Sequence, residues 1–338
     1  MAATLHDVAH LAGVSIKTVS NVVNNYAHIR PETRARVQAA IDELGYQPNL
    51  SARSLRSGRS GVIGLVLPEL SLSYFAELAD AVIANAEKHN LVVLVEQTGA
   101  DRDREIAVLS SPRMRLTDGL IFSPLGMGQD DVALLDVDYP MVLLGERIFG
   151  GPLDHVTMRN VEAARAATEF LLASGRRRIA LIGAHPEEVM GSAALRLAGY
   201  AEALAAAGVE YDPALVRETT LWHRANGAEA VRRMIDSGVE FDAVFGLNDA
   251  LTLGAMRVLQ ESGLRIPADV ALMGFDNIEE AQYTLPSLTT VDPGREHIAR
   301  HAVELLVERI RAGAKPADPQ DVRVDFDIVV RESAVPAS

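Results

Sequence analysis

From residue 61 onward the sequence alternates short, almost continuous apolar runs with longer amphipathic stretches. Runs such as "GVIGLVLP", "LVVLVEQ" and "VALMGFD" have the length and composition of strands, and the stretches between them have helical spacing. Strands that are apolar throughout need helices on both faces of a parallel sheet. Two such series follow each other, so the sequence predicts an α/β core of two parallel-sheet lobes with a cleft between them.

A different unit is expected at the N-terminus, where three short helices follow one another. Thr4 and Ser15 can cap the first two helices, and Gly13 permits a sharp turn between them. A third helix is expected to begin near Pro31 and to end at Gly45. The residues expected to face inward are Leu5, Val8, Ala9, Leu11, Val14, Val19, Val22, Val23, Val37, Ala40, Ile41 and Leu44. This order predicts an all-α helix-turn-helix head.

Charge is divided unevenly between this head and the rest of the chain. Residues 1–60 carry seven Lys/Arg and four Asp/Glu, a net charge of +3; since the whole chain carries −14, the remainder carries −17. A basic head on an acidic body suits a head that contacts phosphate.

The N-terminal end of the second helix has side chains that suit DNA recognition. Ile16, Lys17 and Asn21 are placed to read base edges in a major groove. The residues placed to bind backbone phosphates are Ser15, Thr18, Asn24 and His28. The alternative is a three-helix packing module whose polar positions simply face solvent.

The stretch "YQPNLSARSLRSGRSG" follows the head. Residues 50–56 would make barely two turns of helix, which is marginal in water, and Leu55 has too few apolar companions to form a core. Two copies of such a segment could order in a minor groove and insert leucines into a base step. A plain Ser/Gly/Arg linker is the alternative, and it leaves Leu55 unexplained.

The head and linker together resemble a known family of regulators. "TLHDVAHLAGVSIKTVSNVVN", "TRARVQAAIDELGYQPN" and "ARSLRSG" are similar to the DNA-binding head and hinge of the lactose-repressor/galactose-repressor (LacI/GalR) family. The resemblance implies that Ile16, Lys17 and Asn21 read bases. It also implies that hinge-helix residues contact DNA, namely Ala52, Arg53 and the intercalating Leu55. Asn21 stands where the family often has Arg or His. This difference affects which base the head selects, not whether it binds DNA.

The body resembles the effector-binding core of the same family, which is periplasmic-binding-protein-like. "PELSLSYFAEL", "RLAGY", "LNDALTLGAM" and "VALMGFDN" carry this likeness. The resemblance implies that the chain crosses back between the lobes near its end. The expected boundaries are 1–48 for the head, 49–60 for the hinge helix and linker, 61–160 plus about 293–319 for the N-terminal lobe, 161–292 plus about 320–331 for the C-terminal lobe, and 332–338 for a tail.

Polar and aromatic residues stand where a ligand would meet the lobes. In open α/β sheets, ligands bind beyond the carboxyl ends of the strands. A neutral polyol needs paired donors and acceptors beside a flat apolar wall. The expected ligand-binding residues are Tyr74, Phe75, Arg147, Arg196, Trp222, Asn248 and Asp276.

Some of these assignments have a purely structural alternative. Tyr74 and Phe75 can be core residues, and Arg147 can be a surface ion-pair partner. Asp249 is expected to be an N-cap rather than a ligand. Arg159 stands where the family commonly has an acidic residue, so it either attracts an anionic group or points to solvent.

Several classes of protein are disfavoured by what the sequence lacks. It has no cysteine, no apolar signal-peptide core and no run of 18 apolar residues, so a cytoplasmic protein without a membrane segment is expected. Phosphate-loop and nucleophile-elbow motifs are missing, and the pair His297 and His301 fits a packed helix better than a metal site. No enzyme activity, metal or cofactor is expected.

The expected function is that of a ligand-responsive transcription regulator, in the first instance a repressor. Two heads are needed for useful specificity, so a homodimer on a pseudo-palindromic, double-stranded operator is expected. The C-terminal region has no leucine heptads, which favours a dimer over a tetramer. The expected effector is a sugar between the lobes. The alternatives are a nucleobase-responsive co-repressed regulator, or a solute-binding protein without DNA function.

Overall fold

The computed structural model describes residues 3–23, 26, 28–46, 59–185, 188–313 and 318–334, without the side chain of residue 115. Contacts divide the chain into two compact units, 1–60 and 61–338.

The N-terminal unit contains α1 (Leu5–Ala12), α2 (Ile16–Val23) and α3 (Pro31–Leu44). Thr4 caps α1 in a capping box with Asp7, and Gly13 ends that helix at a φ of 60°. The inward-facing set is largely as expected, with Ala12 also buried. Leu11, however, is 44% exposed, because the buried face of α1 is formed by Val8, Ala9 and Ala12 and Leu11 points about 100° away from the centre of that face.

The N-terminal lobe of the second unit is built on a six-stranded parallel sheet. Its strands are β1 (Val62–Leu67), β2 (Val92–Gln97), β3 (Leu120–Phe122), β4 (Met141–Leu144), β5 (Asp154–Met158) and β11 (Asp321–Val324), in the spatial order β11-β5-β4-β3-β1-β2. Its helices are α4 (Ser73–Glu87), α5 (Arg102–Leu109) and α10 (Arg295–Ala312). The alternation predicted for this region is confirmed.

The C-terminal lobe repeats this architecture. Its strands are β6 (Ile179–Ala184), β7 (Val216–Glu218), β8 (Ala243–Gly246), β9 (Ala271–Phe275), β10 (Thr289–Asp292) and β12 (Asp327–Val329). They lie in the order β12-β10-β9-β8-β6-β7, and only the edge pair β12–β10 is antiparallel. The covering helices are α6 (Asn160–Ala173), α7 (Ser192–Ala206), α8 (Arg224–Asp236) and α9 (Asp249–Glu261).

The final crossing between the lobes differs from the expected one. The segment of about residues 320–331, expected in the C-terminal lobe, forms two strands, and β11 belongs to the N-terminal lobe rather than the C-terminal lobe. The backbone N–H of Gln320 donates to the Asp154 carboxylate at 2.9 Å, and β11 then pairs in parallel with β5. The chain therefore crosses at Asp325 and Phe326, several residues later than the boundary near 320.

Helices α6 and α7 approach closely at Gly199. A Cβ added to Gly199 would meet the carbonyl oxygen of Val161 inside van der Waals contact and would lie 2.8 Å from the backbone nitrogen of Arg165. A side chain at this position would therefore push the two helices apart.

Gly199→Ala should lower the free energy of unfolding by about 1–3 kcal/mol, because overpacking outweighs the helix propensity that alanine adds. Urea denaturation measures this change. Gly128→Ala is the matched control, since Gly128 has nothing within 4 Å of the added Cβ. Equal stability of the two variants would contradict the close approach of α6 and α7.

Candidate functional site

The start of α2 combines capping residues with exposed side chains. The Ser15 hydroxyl accepts from the backbone N–H of Thr18 at 3.1 Å, and the two hydroxyls lie 2.9 Å apart. Ile16 and Lys17 are exposed, whereas Asn21 is half-buried. This face offers an apolar group beside a cation, which suits a thymine methyl next to a guanine.

The other expected DNA contacts are only partly described. His28 is exposed, and its ring packs edge-on against Tyr26 with 5.6 Å between centroids. The remaining expected contacts lie outside the described residues: Asn24, Ala52, Arg53 and Leu55.

A cavity of about 610 Å³ lies between the two lobes of the second unit. Part of its polar lining comes from the residues that follow the carboxyl ends of β1, β3, β4, β6, β8 and β9, and α7 contributes Ser192 and Arg196. The structure brings all seven expected ligand-binding residues to its wall: Tyr74, Phe75, Arg147, Arg196, Trp222, Asn248 and Asp276.

Arg196 is a buried cation at the floor of this cavity. Its Nε donates to the Asn160 side chain at 2.7 Å, and a terminal nitrogen donates to the carbonyl of Leu247. The guanidinium lies 3.5 Å from the centre of the Phe275 ring and 5.4 Å from that of Trp222. These contacts lock its position, as a buried charge requires.

The carboxylate of Asp276 faces Arg196 and can accept further hydrogen bonds. Its Oδ1 lies 3.9 Å from a terminal nitrogen of Arg196, and its carboxylate accepts no hydrogen bond from the described part of the chain. Its backbone is held at a φ of 114° while Arg295 donates to its carbonyl at 3.0 Å. Burial raises the pKa of Asp276 to about 7, although Arg196 and Arg295 oppose this rise.

Asn248, rather than Asp249, caps the helix that follows β8. The Asn248 side chain accepts from the backbone N–H of Leu251 at 2.8 Å and donates to the carbonyl of Trp222 at 3.1 Å. The expectation that Asp249 is the cap is wrong. Asp249 is fully buried and accepts from Thr290 at 2.7 Å, and burial raises its pKa well above the usual range.

Aromatic rings line both sides of the cavity. Tyr74 and Phe75 are half-buried at the start of α4, and their rings meet edge-to-face at 5.3 Å. Burial raises the pKa of the Tyr74 hydroxyl, which therefore remains a donor at neutral pH. Opposite them, the Trp222 indole donates to the carbonyl of Gly183 at 2.9 Å, and its ring centre is 6.0 Å from that of His185. These rings supply flat walls for a ligand.

Arg147 forms an ion pair that joins the lobes. It bonds to Glu188 of the C-terminal lobe and also donates to the carbonyl of Met190 at 3.1 Å. Glu188 in turn lies 3.1 Å from Nδ1 of His185. Burial lowers the pKa of the Arg147 guanidinium. Arg147 is therefore an ion-pair partner, as the structural alternative expected, and it also lines the cavity.

Glu146 was not among the expected ligand-binding residues, although it follows a strand end. Its carboxylate accepts from Thr157 at 2.9 Å within its own lobe and from Ser192 at 2.6 Å across the cleft. His223 and Glu69 make a further contact between the lobes at 2.7 Å. A polar residue directly after β4 was the available signal for Glu146, but nothing in the sequence identifies its partners.

Arg159 lies where the chain crosses between the lobes, and it pairs with a residue of another crossing segment. Its Nε donates to Asp325 at 2.7 Å. The Arg159 side chain is 40% exposed and its partner Asp325 is 91% exposed, so the contact lies at the surface and joins two crossing segments.

No group of three or more metal-ligating side chains is arranged to hold a metal ion in the parts of the chain that the structure describes. Within the same parts, no helix has both the length and the apolar character needed to cross a membrane.

A helix-turn-helix head and a two-lobed core with a ligand-sized cavity define a ligand-binding transcription regulator. A family model described as "Bacterial regulatory proteins, lacI family" matches residues 4–49, and one described as "Periplasmic binding protein-like domain" matches residues 168–334. The HTH-type transcriptional regulator CelR of Thermobifida fusca is 35% identical, with 98% of each chain covered. The chain belongs to the LacI family and is a transcriptional regulator rather than an enzyme.

Solved structures agree with this assignment. A putative LacI-family regulator from Sanguibacter keddieii is 56% identical with a TM-score of 0.76, covering 82% of this chain and 99% of its own. A complex of CelR with cellobiose is 32% identical with a TM-score of 0.71, covering 98% and 99%. The lac repressor dimer bound to operator and an anti-inducer is 28% identical with a TM-score of 0.80, covering 99% and 100%.

Asp276→Asn should change how stability depends on pH. The folded protein holds the Asp276 proton up to a pKa of about 7, whereas the usual value is 3.8, so the wild type loses stability as pH rises between these values. The variant avoids this loss. Its free energy of unfolding relative to wild type should therefore rise by about 2–3 kcal/mol from pH 5 to pH 8.

Urea denaturation at both pH values measures this difference. Asp103→Asn is the control, because the Asp103 side chain is 95% exposed. If the free energies of unfolding of Asp276→Asn and the wild type differ by the same amount at pH 5 and pH 8, the raised pKa of the buried Asp276 carboxyl is contradicted.

Proposed function

We propose that this regulator binds a pseudo-palindromic operator as a homodimer and releases it when a sugar occupies the cavity between the lobes. The observation that carries the proposal is the Arg196–Asp276 pair. It lines the cavity, and the Asp276 carboxylate accepts no hydrogen bond from the described part of the chain. Repression is the mode of control, and the sugar is an inducer.

The chemistry of the cavity supports a neutral polyol. The Asp276 carboxylate can accept from two hydroxyl groups, and Tyr74 can donate to another. Trp222 and Phe75 offer flat faces to the apolar side of a sugar ring. The solved relative CelR is in complex with cellobiose, which favours a sugar over a nucleobase.

The head supports recognition of duplex DNA. Lys17 is exposed at the start of α2, next to Ile16, and residues 1–60 carry a net charge of +3. A lysine in the major groove can donate to guanine O6 and N7. The solved lac repressor is a dimer bound to its operator, which favours the same arrangement for this chain.

Exposed apolar side chains support a dimer of the core. Val92 is 61% exposed and Leu94 43% exposed, and both lie on β2, an edge strand of the N-terminal sheet. Tyr283 and Leu285 of the C-terminal lobe are also largely exposed. An uncovered edge with apolar side chains favours association, and a second copy would remove these groups from water.

Sugar would act by shifting the relative population of two lobe arrangements. The lobes already touch through polar contacts, including Glu146–Ser192 and Glu69–His223. A ligand can shift this equilibrium only by its difference in affinity for the two arrangements. A sugar that bridges Asp276 in one lobe and Tyr74 in the other satisfies this requirement.

Asp276→Ala should keep operator affinity and lose release by sugar, whereas Lys17→Ala should weaken operator binding and keep sugar affinity. The two changes remove contacts to different ligands. Fluorescence anisotropy of a duplex carrying the symmetric site upstream of the protein's own gene, with and without cellobiose or other sugars, separates them. Operator affinity that no sugar alters would contradict induction, and release by adenine or guanine alone would favour the nucleobase alternative.

Leu94→Lys should raise the dimer dissociation constant by about tenfold or more, because a charge would be buried where an apolar side chain meets the second copy. Sedimentation velocity over a concentration series measures this. Val189→Lys is the control, since Val189 is 92% exposed and belongs to the C-terminal lobe, whereas β2 belongs to the N-terminal lobe. A wild-type chain that stays monomeric at micromolar concentration would overturn the dimer.

A further inference from the structure

The turn that carries Asp276 has a backbone conformation that must be held by neighbouring groups. Asp276 and Asn277 are consecutive non-glycine residues with φ values of 114° and 49°. Side chains disfavour a positive φ, so such a conformation persists only where its surroundings fix it. Within the C-terminal lobe, Asp276 donates through its backbone N–H to the carbonyl of Val291 at 2.8 Å. The Asn277 side chain donates to Asp292 at 2.9 Å and accepts from Arg331 at 2.7 Å. The contact to the Asp276 carbonyl comes from the other lobe.

Arg295 makes that contact from the N-terminal lobe. It is the first residue of α10, directly after the chain crosses from β10. One terminal nitrogen donates to the carbonyl of Asp276 at 3.0 Å, and the other lies 2.5 Å from a carboxylate oxygen of Glu77. The Arg295 side chain is 15% exposed and is not among the residues that line the cavity between the lobes. Arg295 thus binds the backbone of the turn without lining the cavity.

Glu77 extends this support to the far end of the turn. It lies on α4, and its second carboxylate oxygen accepts from the backbone N–H of Glu279 at 2.9 Å. The two side chains therefore contact each other and also one peptide group each, the carbonyl of Asp276 and the N–H three residues later. Loss of either side chain would leave the other with an unpaired charge. Arg295 and Glu77 therefore form one unit, the Arg295–Glu77 pair.

The Arg295–Glu77 pair and the turn belong to different lobes. Helices α4 and α10 pack against each other in the N-terminal lobe, so the two side chains move together. The turn follows β9 and is part of the C-terminal lobe. A change in the angle between the lobes would therefore lengthen both contacts to the turn at once. The geometry of the Asp276 carboxylate is thereby tied to the arrangement of the lobes.

The burial of Arg295 indicates what its guanidinium does. Its Nε is buried and has no hydrogen-bond partner in the described part of the chain. An unsatisfied buried donor is costly, and a methionine of similar length would fill the space without this cost. What only a guanidinium provides is two donors aimed at two different acceptors. The contacts to Asp276 and Glu77 must therefore outweigh the cost of the unpaired Nε.

Arg295 also acts on the Asp276 carboxyl through its charge. Burial raises the pKa of Asp276 to about 7, and Arg196 and Arg295 oppose this rise. The carboxylates of Glu146 and Glu77 add to it. The charged and titratable side chains that act on this carboxyl are Arg196, Arg295, Glu146, Glu77, Tyr74 and Asp249. Arg295 and Glu77 thus shift the pKa of Asp276 in opposite directions.

We infer that Arg295 is a positioning residue for sugar binding, which acts with Glu77 to hold the Asp276 carboxylate in its binding geometry without touching the sugar. This inference rests on the proposed sugar response and adds the residues that control it from the opposite lobe. Sugar affinity is highest in the lobe arrangement in which both contacts to the turn are made. Disruption of the pair lowers sugar affinity through Asp276 and leaves the DNA-contacting surface of the head unchanged.

A double-mutant cycle tests this by isothermal titration calorimetry of the full chain with cellobiose, glucose and galactose at about pH 9, where Asp276 is ionised. Arg295→Met and Glu77→Gln should each lower the affinity of the tightest-binding sugar by about fivefold or more. The double variant should lose less than about threefold beyond the weaker-binding single variant, because the two residues act as one unit. Residues that act independently would give losses that multiply.

The pH profile separates positioning of Asp276 from a general loss of structure. Wild-type sugar affinity should rise with pH around a midpoint of about 7, as the Asp276 carboxylate ionises. Arg295→Met should move this midpoint to higher pH and Glu77→Gln should move it to lower pH, although both lower the affinity. Arg295→Lys keeps the charge but not the forked pair of donors. It should therefore keep the wild-type midpoint and recover only part of the affinity.

Arg300→Met is the matched control. Arg300 lies on the same helix, is 42% exposed and pairs with Glu304 at 3.5 Å, so its loss should change neither the sugar affinity nor the midpoint. Urea denaturation and operator affinity without sugar report whether each variant folds. If Arg295→Met fails to fold, Glu77→Gln and Arg295→Lys decide the question through the affinity and the midpoint expected for each.

The failure of this inference can be told apart from that of the proposed function. Three results overturn the positioning role while the sugar response stands: wild-type affinity in both single variants, losses that multiply in the double variant, or midpoints that do not move in opposite directions. A wild type that binds none of the three sugars also overturns the positioning role. Operator release by no sugar overturns the proposed function with it.

Discussion

The burial of the Arg196 guanidinium is the interaction on which the cleft depends. An isolated buried cation is very costly, so its surroundings must supply several partners at once. These partners come from the segments that meet at the cleft: Asn160 at a crossing, the Leu247 carbonyl after β8, and the Phe275 ring with Asp276 after β9. One side chain of α7 thereby sets the relative positions of three segments of the chain and leaves a carboxylate facing the cavity.

The lobes are joined in two physically different ways. Three chain crossings connect them on one side, and two of these are tied together by Arg159 and Asp325. Across the cleft, the connections are polar pairs such as Arg147–Glu188 and Glu146–Ser192. When the lobes separate, these polar groups exchange their partners for water or for a ligand, so the net free-energy cost of rearranging them is small. A ligand of modest affinity can therefore compete with them, which is what a regulator with two lobe arrangements requires.

Much of the secondary structure follows directly from local pattern. The apolar runs that form β1, β2 and β9 and the helical stretches between the strands were predicted, because each carries its own periodicity. By contrast, β5 has the sequence "DHVTM" and is completely buried. Its Asp154 is accommodated by two hydrogen bonds from Arg309, 155 residues away, at 2.6 Å and 2.9 Å. No local rule predicts a buried carboxylate in a strand whose partner lies so far along the chain.

Local pattern alone was enough to predict the two classes of unit and several of the residues at the cleft, because strand ends converge at one edge of a parallel sheet whatever the details of packing. Which of these residues pair became apparent only in the assembled fold. It placed Asn248 rather than Asp249 at the cap, assigned residues 321–324 to the N-terminal lobe, and brought Arg147 to Glu188. The physical reason is that each outcome depends on a partner contributed by another element, and the distance to that partner is set only when the two sheets and their crossings have been assembled.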